Sequence, residues 1–243
     1  MRIDGRLSNQ LRKIIITPNV SEYAEGSVIV EFGKTKVLCT ATYEAQVPSW
    51  LKGTGSGWVT AEYGMLPRAT HTRVKRDKNM SSGRTQEISR LIGRSLRSCV
   101  NLKKLNEKQI IVDCDVLHAD GGTRTASITG GFVALALCFK KLLDVSEIKE
   151  MPLTNYVSAV SVGLHNNNPL LDLNYDEDST IGTDMNFVMT NAGEFIELQG
   201  TAEHQPFNRK DLNLMLDMAE KGCRDLFEIQ SQIIGHAYPL QLK

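Results

Sequence analysis

Between Gly83 and Val100 the apolar positions Ile88, Leu91, Ile92, Leu96, Cys99 and Val100 fall at the spacings of one buried helix stripe. They predict a helix beginning near Gly83, with Ser81 or Ser82 as N-cap. Two β-branched runs around Gly33, SVIVEFGKTKVLCTATY at 27–43, predict a hairpin. GTGSGWVTAEYG at 53–64 predicts a strand with close backbone approach. The segment from Pro67 to Ser82 has no apolar period and reads as an exposed, mobile loop without apolar anchors. QIIVDCDVL at 109–117 alternates as a strand, ADGGTRT interrupts it, and ASITGGFVALALCFKKLL continues as an apolar helix. Further strands are predicted at 156–165, 169–174, 185–191 and 194–200, the last two joined by a tight turn at Asn191-Ala192-Gly193. A last helix, from about Arg209 to Ile229, carries Leu212, Met215, Leu216, Ala219, Cys223, Leu226 and Phe227 on one stripe. The mixed order predicts an α+β fold in a single domain over residues 1–243. Both halves place a hairpin, a polar loop and an amphipathic helix in that order, as an internal duplication of βαβα type would.

Composition narrows the class. With 243 residues, 41% of them apolar and 23% charged, the chain can bury a sizeable core and is neither disordered nor low-complexity. The longest apolar stretch, Phe132 to Phe139, is short of the roughly 20 residues that cross a bilayer, and the N-terminal MRIDGRLSNQ is charged where a signal peptide would be apolar. The expectation is a soluble, cytoplasmic protein with no membrane partner. Cys39, Cys99, Cys114, Cys138 and Cys223 lie among apolar neighbours and read as reduced core residues. Neither a CxxC pair nor ligand-spaced histidines point to structural zinc.

Charge changes the picture only when it is read by segment. Pro67 to Lys108 holds 12 Lys and Arg against 3 acids, a net of +9, whereas Asp144 to Glu228 holds 16 acids against 5 bases, a net of −11. Such segregation suits a basic surface facing a polyanion and an acidic region able to hold cations, or simply two solvated faces. Arg84 falls in the first turn of the predicted helix, where the helix dipole disfavours a cation and favours a bound anion.

Two groups of residues could carry chemistry. In Asp120-Gly121-Gly122-Thr123-Arg124-Thr125 a glycine loop enters a helix, so backbone N–H groups, the dipole and the Arg124 guanidinium can converge on a phosphate. The competing reading is an ordinary glycine turn with Thr125 as N-cap. Tyr175-Asp176-Glu177-Asp178, followed by Asp184, sets carboxylates on a short loop and the next strand end, where they can share Mg²⁺ or Mn²⁺ or act as general acid, or form a solvated acidic turn. Asp113 and Asp115, on one strand face, are a rival pair, and His118 beside them is either a proton shuttle or a half-buried histidine. Aromatics do not interleave with the basic run, so nucleic-acid contact there would be to phosphates.

Together GRTQEISRLIGRSLRS at 83–98, DCDVLHADGGTRTASITG at 113–130, DSTIGTDMNFVMT at 178–190 and ELQGTAEHQPF at 197–207, with RIDGR near the start, resemble the ribonuclease PH family over nearly the whole chain and in family order. The resemblance implies a phosphate-dependent 3′-to-5′ exoribonuclease that trims tRNA precursor 3′ ends, with inorganic phosphate as co-substrate, nucleoside diphosphates as products, and the reverse reaction as nucleotide addition. It implies a homo-hexamer, a trimer of dimers, related to the exosome core. By position it assigns phosphate binding to Arg84, Gly122, Thr123, Arg124 and Ser127, catalysis and a shared Mg²⁺ or Mn²⁺ to Asp178 and Asp184, and the RNA path to Arg68, Arg73 and Arg76. His118 stands where the family has glutamine, and Ile181-Gly182 replaces a more polar pair; neither change removes a charged group that the reaction needs. The alternatives are a non-catalytic RNA-binding subunit of an exosome-like ring and a phosphate-independent hydrolase.

Overall fold

The computed structural model describes residues 2–76, 82–165, 168–202 and 206–239, so Lys78 and Ser81 lie outside the described residues. Strands β1 (Ile14–Pro18), β2 (Gly26–Phe32), β3 (Thr35–Glu44), β4 (Trp58–Met65) and β5 (Gln109–His118) form a sheet in the order β1-β2-β3-β5-β4. Only β4 and β5 run parallel, and the crossover between them that parallel pairing requires is made by α1 (Gly83–Ser98). A second sheet, antiparallel throughout, has the order β7-β6-β8-β9 from β6 (Val157–His165), β7 (Asn168–Leu171), β8 (Thr183–Thr190) and β9 (Phe195–Ala202). The other helices are α2 (Thr123–Asp144), α3 (Tyr175–Asp178) and α4 (Arg209–Ile234). The α+β expectation holds, and the predicted hairpin closes at Gly33, whose φ of +59° suits a two-residue turn. Among the described residues the halves are not copies strand for strand, because the pairs of the second sheet are all antiparallel.

The helix α2 is the shared centre. Ile128, Phe132, Val133, Leu135 and Phe139 are all buried, and the helix packs on β2 and β3 on one side and β6 on another. Phe132 meets Tyr156 with ring centroids 5.2 Å apart, so one continuous core serves both sheets. By length and composition α2 could cross a membrane, further than its apolar run Phe132–Phe139 suggests, but it is spent on this core. Its approach to the first sheet is close enough to exclude a side chain: a Cβ on Gly130 would lie 2.5 Å from Val30 Cγ1 and 3.0 Å from Cys39 Sγ. All five cysteines are free and buried.

Open strand edges are closed by helix side chains. On β4, the Tyr63 N–H donates to Ser89 Oγ (3.0 Å), and Arg97 Nη1 donates to the Val59 carbonyl (2.8 Å) while its guanidinium lies 4.3 Å over the Trp58 ring. On β6, beyond the end of the short β7, Ala159 N–H donates to Thr129 Oγ1 (3.2 Å) and the Val157 carbonyl accepts from Gln230 Nε2 of α4 (2.9 Å). Buried backbone groups left without partners there would cost about 1–3 kcal/mol each.

Four expectations change. The strand β1, IIITP, goes beyond the reading. The strand predicted to reach residue 174 stops at Leu171, because Asp172 adopts φ +55° and Asn174 caps α3 through a capping box with Glu177. The last helix runs five residues past Ile229, to Gly235 at φ +63°. The loop after Pro67 is anchored in its described part: Ala69 is buried, its carbonyl accepts from Ala119 N–H (2.8 Å), and Val74 N–H donates to the Pro67 carbonyl (2.9 Å).

Replacing glycine by alanine inside an exposed helix adds about 1 kcal/mol of stability. At Gly130 the crowding at Val30 and Cys39 should reverse that sign, so Gly130→Ala is expected to lose about 1–3 kcal/mol, read from the urea midpoint.

Candidate active site

A cavity of about 620 Å³ is lined by residues at the ends of both sheets, among them Met65, His71, Arg84, Gly122, Arg124, Ser161, Tyr175, Asp178 and Asp184. It is organised around the glycine loop between β5 and α2. Gly121 and Gly122 have φ of +75° and +65°, and a Cβ on Gly121 would lie 2.6 Å from the Leu173 carbonyl oxygen. No other residue fits without strain.

The loop is held from beneath by a buried ion pair. Arg12 donates from its backbone N–H (2.8 Å) and Nε (3.0 Å) to Asp172 Oδ2 and from Nη2 to Asp172 Oδ1 (2.7 Å), while its Nη1 donates to the Asp120 carbonyl (2.5 Å). Thr35 Oγ1 donates to the Gly121 carbonyl (2.6 Å) and accepts from Asp120 N–H (2.9 Å). In a trans peptide the N–H points opposite to the C=O, so the N–H groups of Gly121 and Gly122 are turned away from Arg12 and Thr35. The helix that follows is uncapped. The residue before it, Gly122, offers no side chain, whereas Ser82, Asn174 and Asn208 cap the other three helices. The competing reading of Thr125 as N-cap is corrected: its hydroxyl donates to the Gly122 carbonyl (2.9 Å). The first N–H groups of α2 therefore remain for an anion.

Two arginines face this point from different elements. Arg84, exposed in the first turn of α1, has no acidic partner among the described residues. Arg124 is held at one corner, its Nη1 donating to Glu87 Oε1 (3.3 Å) and to Gln199 Oε1, while Gln199 Nε2 donates to the same Glu87 oxygen (2.9 Å). Its Nε and Nη2 have no protein acceptor among the described residues. Thr123 is fixed by a 2.9 Å hydrogen bond between its hydroxyl and Tyr63, whose phenol burial pushes up, so it stays protonated.

The opposite wall carries the carboxylates. Register across the second sheet puts Ser161, Asn186 and Gln199 in one row and Asp184 two residues from Asn186 on the same face of β8. The exposed Asp178 ends α3. That single turn is anchored by Glu177, which takes Arg2 in two hydrogen bonds of 2.6 Å and Arg6 at 3.3 Å. Burial pushes the Glu177 carboxyl up, but the bonds from Arg2 and the Asn174 backbone outweigh it and hold it below the ordinary range.

The cavity thus brings together Arg84, Gly122, Thr123, Arg124, Asp178 and Asp184, and it omits several other residues singled out in the sequence. Ser127 is corrected: it is fully buried one turn inside α2, with its hydroxyl spent on the Thr123 carbonyl (2.8 Å). Glu177 is an anchor, and the acidic segment is a helical turn rather than a loop. Arg68, Arg73 and Arg76 are exposed outside the lining. His118 is exposed, not half-buried, and also lies outside it. Asp113 and Asp115 share the face of the first sheet away from α2, where burial, then Glu62, then Asp115 push the Asp113 carboxyl up to about 6. Sequence reasoning missed Arg12, Asp172, Thr35, Glu87 and Gln199; an acid inside the apolar run LLDL was the available signal for Asp172.

Residues 10–140 match the 3′ exoribonuclease family, domain 1, and residues 155–222 match its domain 2. A ribonuclease PH from Bdellovibrio bacteriovorus is 73% identical over 240 residues, covering 99% of each chain. Among solved structures, an Archaeoglobus fulgidus exosome with RNA bound to the active site is 26% identical with a TM-score of 0.81, over 94% of this chain and 92% of that one. An archaeal exosome core is similar in fold, with a TM-score of 0.76 at 23% identity over 96% of this chain and 91% of that one.

Removing one partner of a buried pair leaves the other charge uncompensated, so Arg12→Met should lose about 3–5 kcal/mol in urea unfolding. Adding Asp172→Asn, which tolerates positive φ, should restore much of that stability while titration calorimetry still finds inorganic phosphate bound more weakly, because the loop carbonyls have lost their donor. A second outcome follows from Asp113. Its carboxyl titrates near 6 in the fold against about 3.9 unfolded, so the folded state holds the proton more tightly and stability falls as pH rises between those values. Asp113→Asn should therefore raise the urea midpoint at pH 7.5 and leave it nearly unchanged at pH 3.5.

Proposed function

The chain belongs to the ribonuclease PH family of 3′ exoribonucleases, and from that premise we propose how its cavity carries out the reaction. The activity is phosphate-dependent 3′-to-5′ exoribonucleolysis acting on tRNA, reversible as nucleotide addition. The observation that carries the site assignment is the meeting, in one cavity, of two arginines and an uncapped helix N-terminus with a carboxylate pair.

Inorganic phosphate occupies the mouth of α2, held by Arg84, by Arg124 and by backbone N–H groups at Gly122 and Thr123. The arginines offset the repulsion between two anions and aim one phosphate oxygen at the phosphorus of the last phosphodiester. A new P–O bond forms, the bond to the penultimate ribose 3′ oxygen breaks, and that oxygen takes up a proton. The terminal nucleotide leaves as a nucleoside diphosphate. Little covalent chemistry falls to the protein, so catalysis is orientation and charge. Asp178 and Asp184 serve the leaving oxygen. Both carboxylates line the cavity, and with water and phosphate oxygens they would offer Mg²⁺ or Mn²⁺ the hard oxygen donors it takes. Bound there, the ion would supply positive charge at the leaving oxygen.

Arg68, Arg73 and Arg76 serve the RNA path, an assignment supported by their exposure on the loop whose Thr70, His71 and Val74 line the cavity. The tRNA precursor 3′ end is the proposed substrate, and the chain acts as one catalytic unit over residues 1–243, since both family segments contribute lining residues. A homo-hexamer, a trimer of dimers, is the proposed assembly; the fold similarity to exosome chains supports it, as does the first sheet's outer face, where Ile15 is exposed and Ile29 and Leu38 are only partly buried. A cytoplasmic location suits five unpaired thiols. The intact charged set argues against a non-catalytic ring subunit.

RNA with an unpaired 3′ end is expected to shorten only when phosphate is present and to release diphosphates, identified by chromatography. Asp184→Asn should lower turnover at least about a hundredfold with an unchanged urea midpoint. Equal shortening in phosphate-free buffer, or release of monophosphates, would mean hydrolysis instead.

A further inference from the structure

One wall of the cavity has no part in the chemistry above. Tyr175, 52% exposed, and His71 have ring centroids 6.1 Å apart at 57°, and Met65 and Val74 line the same space. The fold makes little use of the Tyr175 ring: α3 is fixed through Asn174 and Glu177, and the phenol hydroxyl has no hydrogen-bond partner among the described residues. Yet Tyr175 and Asp178 lie one helical turn apart, on neighbouring positions of the same face. An aromatic ring is thereby carried beside a carboxylate assigned to the leaving oxygen.

We propose that Tyr175, with His71, is a stacking platform for the nucleobase of a nucleotide flanking the scissile phosphodiester. The ligand divides as the cavity does. Phosphates need the arginines and N–H groups at the α2 end, whereas an apolar and aromatic wall offers them nothing; a base, joined to its phosphate through one ribose, needs such a wall. Stacking also suits an enzyme that must advance over every base, because every base has a π-face and hydrogen-bond readout would stall it at some of them. The proposal rests on the reading of the cavity as the phosphorolytic site and adds to it a subsite for the base.

The test uses oligouridine carrying 2-aminopurine at the last or the next-to-last position, in phosphate-free buffer, so that binding is read without turnover. The wild-type protein and Tyr175→Phe should quench the fluorescence at one of the two positions, and Tyr175→Ala should lose most of that quenching. With phosphate added, Tyr175→Ala should raise the KM for RNA about tenfold, the effect of one lost stacking contact, and the KM for phosphate much less. An abasic nucleotide at the responding position should bring the wild type and Tyr175→Ala to the same KM. Quenching by neither, equal quenching by Tyr175→Ala, or a penalty that persists on abasic RNA overturns the platform. Failure of the wild type to shorten RNA with phosphate counts against the phosphorolytic reading alone, because the quenching still judges the platform.

Discussion

Arg12 and Asp172 are an ion pair closed off from water, and the geometry of the cavity follows from the way their charges are satisfied. A buried guanidinium demands acceptors on several sides. Asp172 fills one side, and the carbonyls of Asp120 and Gly121 fill another, which fixes the loop and turns its N–H groups the other way. Asp172 in turn stands where the chain leaves β7 for α3, so the same pair ties the phosphate loop to the turn that carries Asp178. Arg6 reaches both Asp172 and Glu177, and Arg2 reaches Glu177, so the N-terminal segment threads through this charge cluster as its counterion supply.

The helix α2 answers a second constraint, that two sheets must share a core. Its buried sides meet both sheets while its N-terminus opens into the cavity, and the groups there inherit the rigidity of the packing behind them. Gly130 permits the close approach to β2, and the Tyr63–Thr123 bond carries that order to the first turn. Arg124 joins the halves in another way, through Glu87 of α1 and Gln199 of β9.

Much of this was legible in the sequence where local pattern and local structure agree. The stripe from Ile88 to Leu96, the Gly33 hairpin and the strand–loop–helix at Gly121-Gly122 are short-range patterns, and each forms as the pattern requires. The blocks around Arg84, Arg124, Asp178 and Asp184 were legible as a set because the family resemblance orders them. What could not be read was partnership across the chain. Arg12 and Asp172 are 160 residues apart, and Arg124 and Gln199 are 75 apart; no periodicity links such pairs. Ser127 was misplaced for the opposite reason. It is near the glycine loop in sequence, but one helical turn of 3.6 residues carries it into the core.

The sealing of β4 by Ser89 and Arg97 bears on how copies of this chain can join. A strand at the border of a sheet normally offers its free amides and carbonyls to any passing strand, which is how sheets grow between molecules and how amyloid begins. Here the Tyr63 amide and the Val59 carbonyl are already taken by α1, and the Arg97 guanidinium that holds the carbonyl stacks on Trp58 of the same strand. With α1 packed along it, that border is a poor place to add a strand from a neighbour, so a ring built from this subunit would close there through faces and side chains, leaving its size to surface shape rather than to strand count.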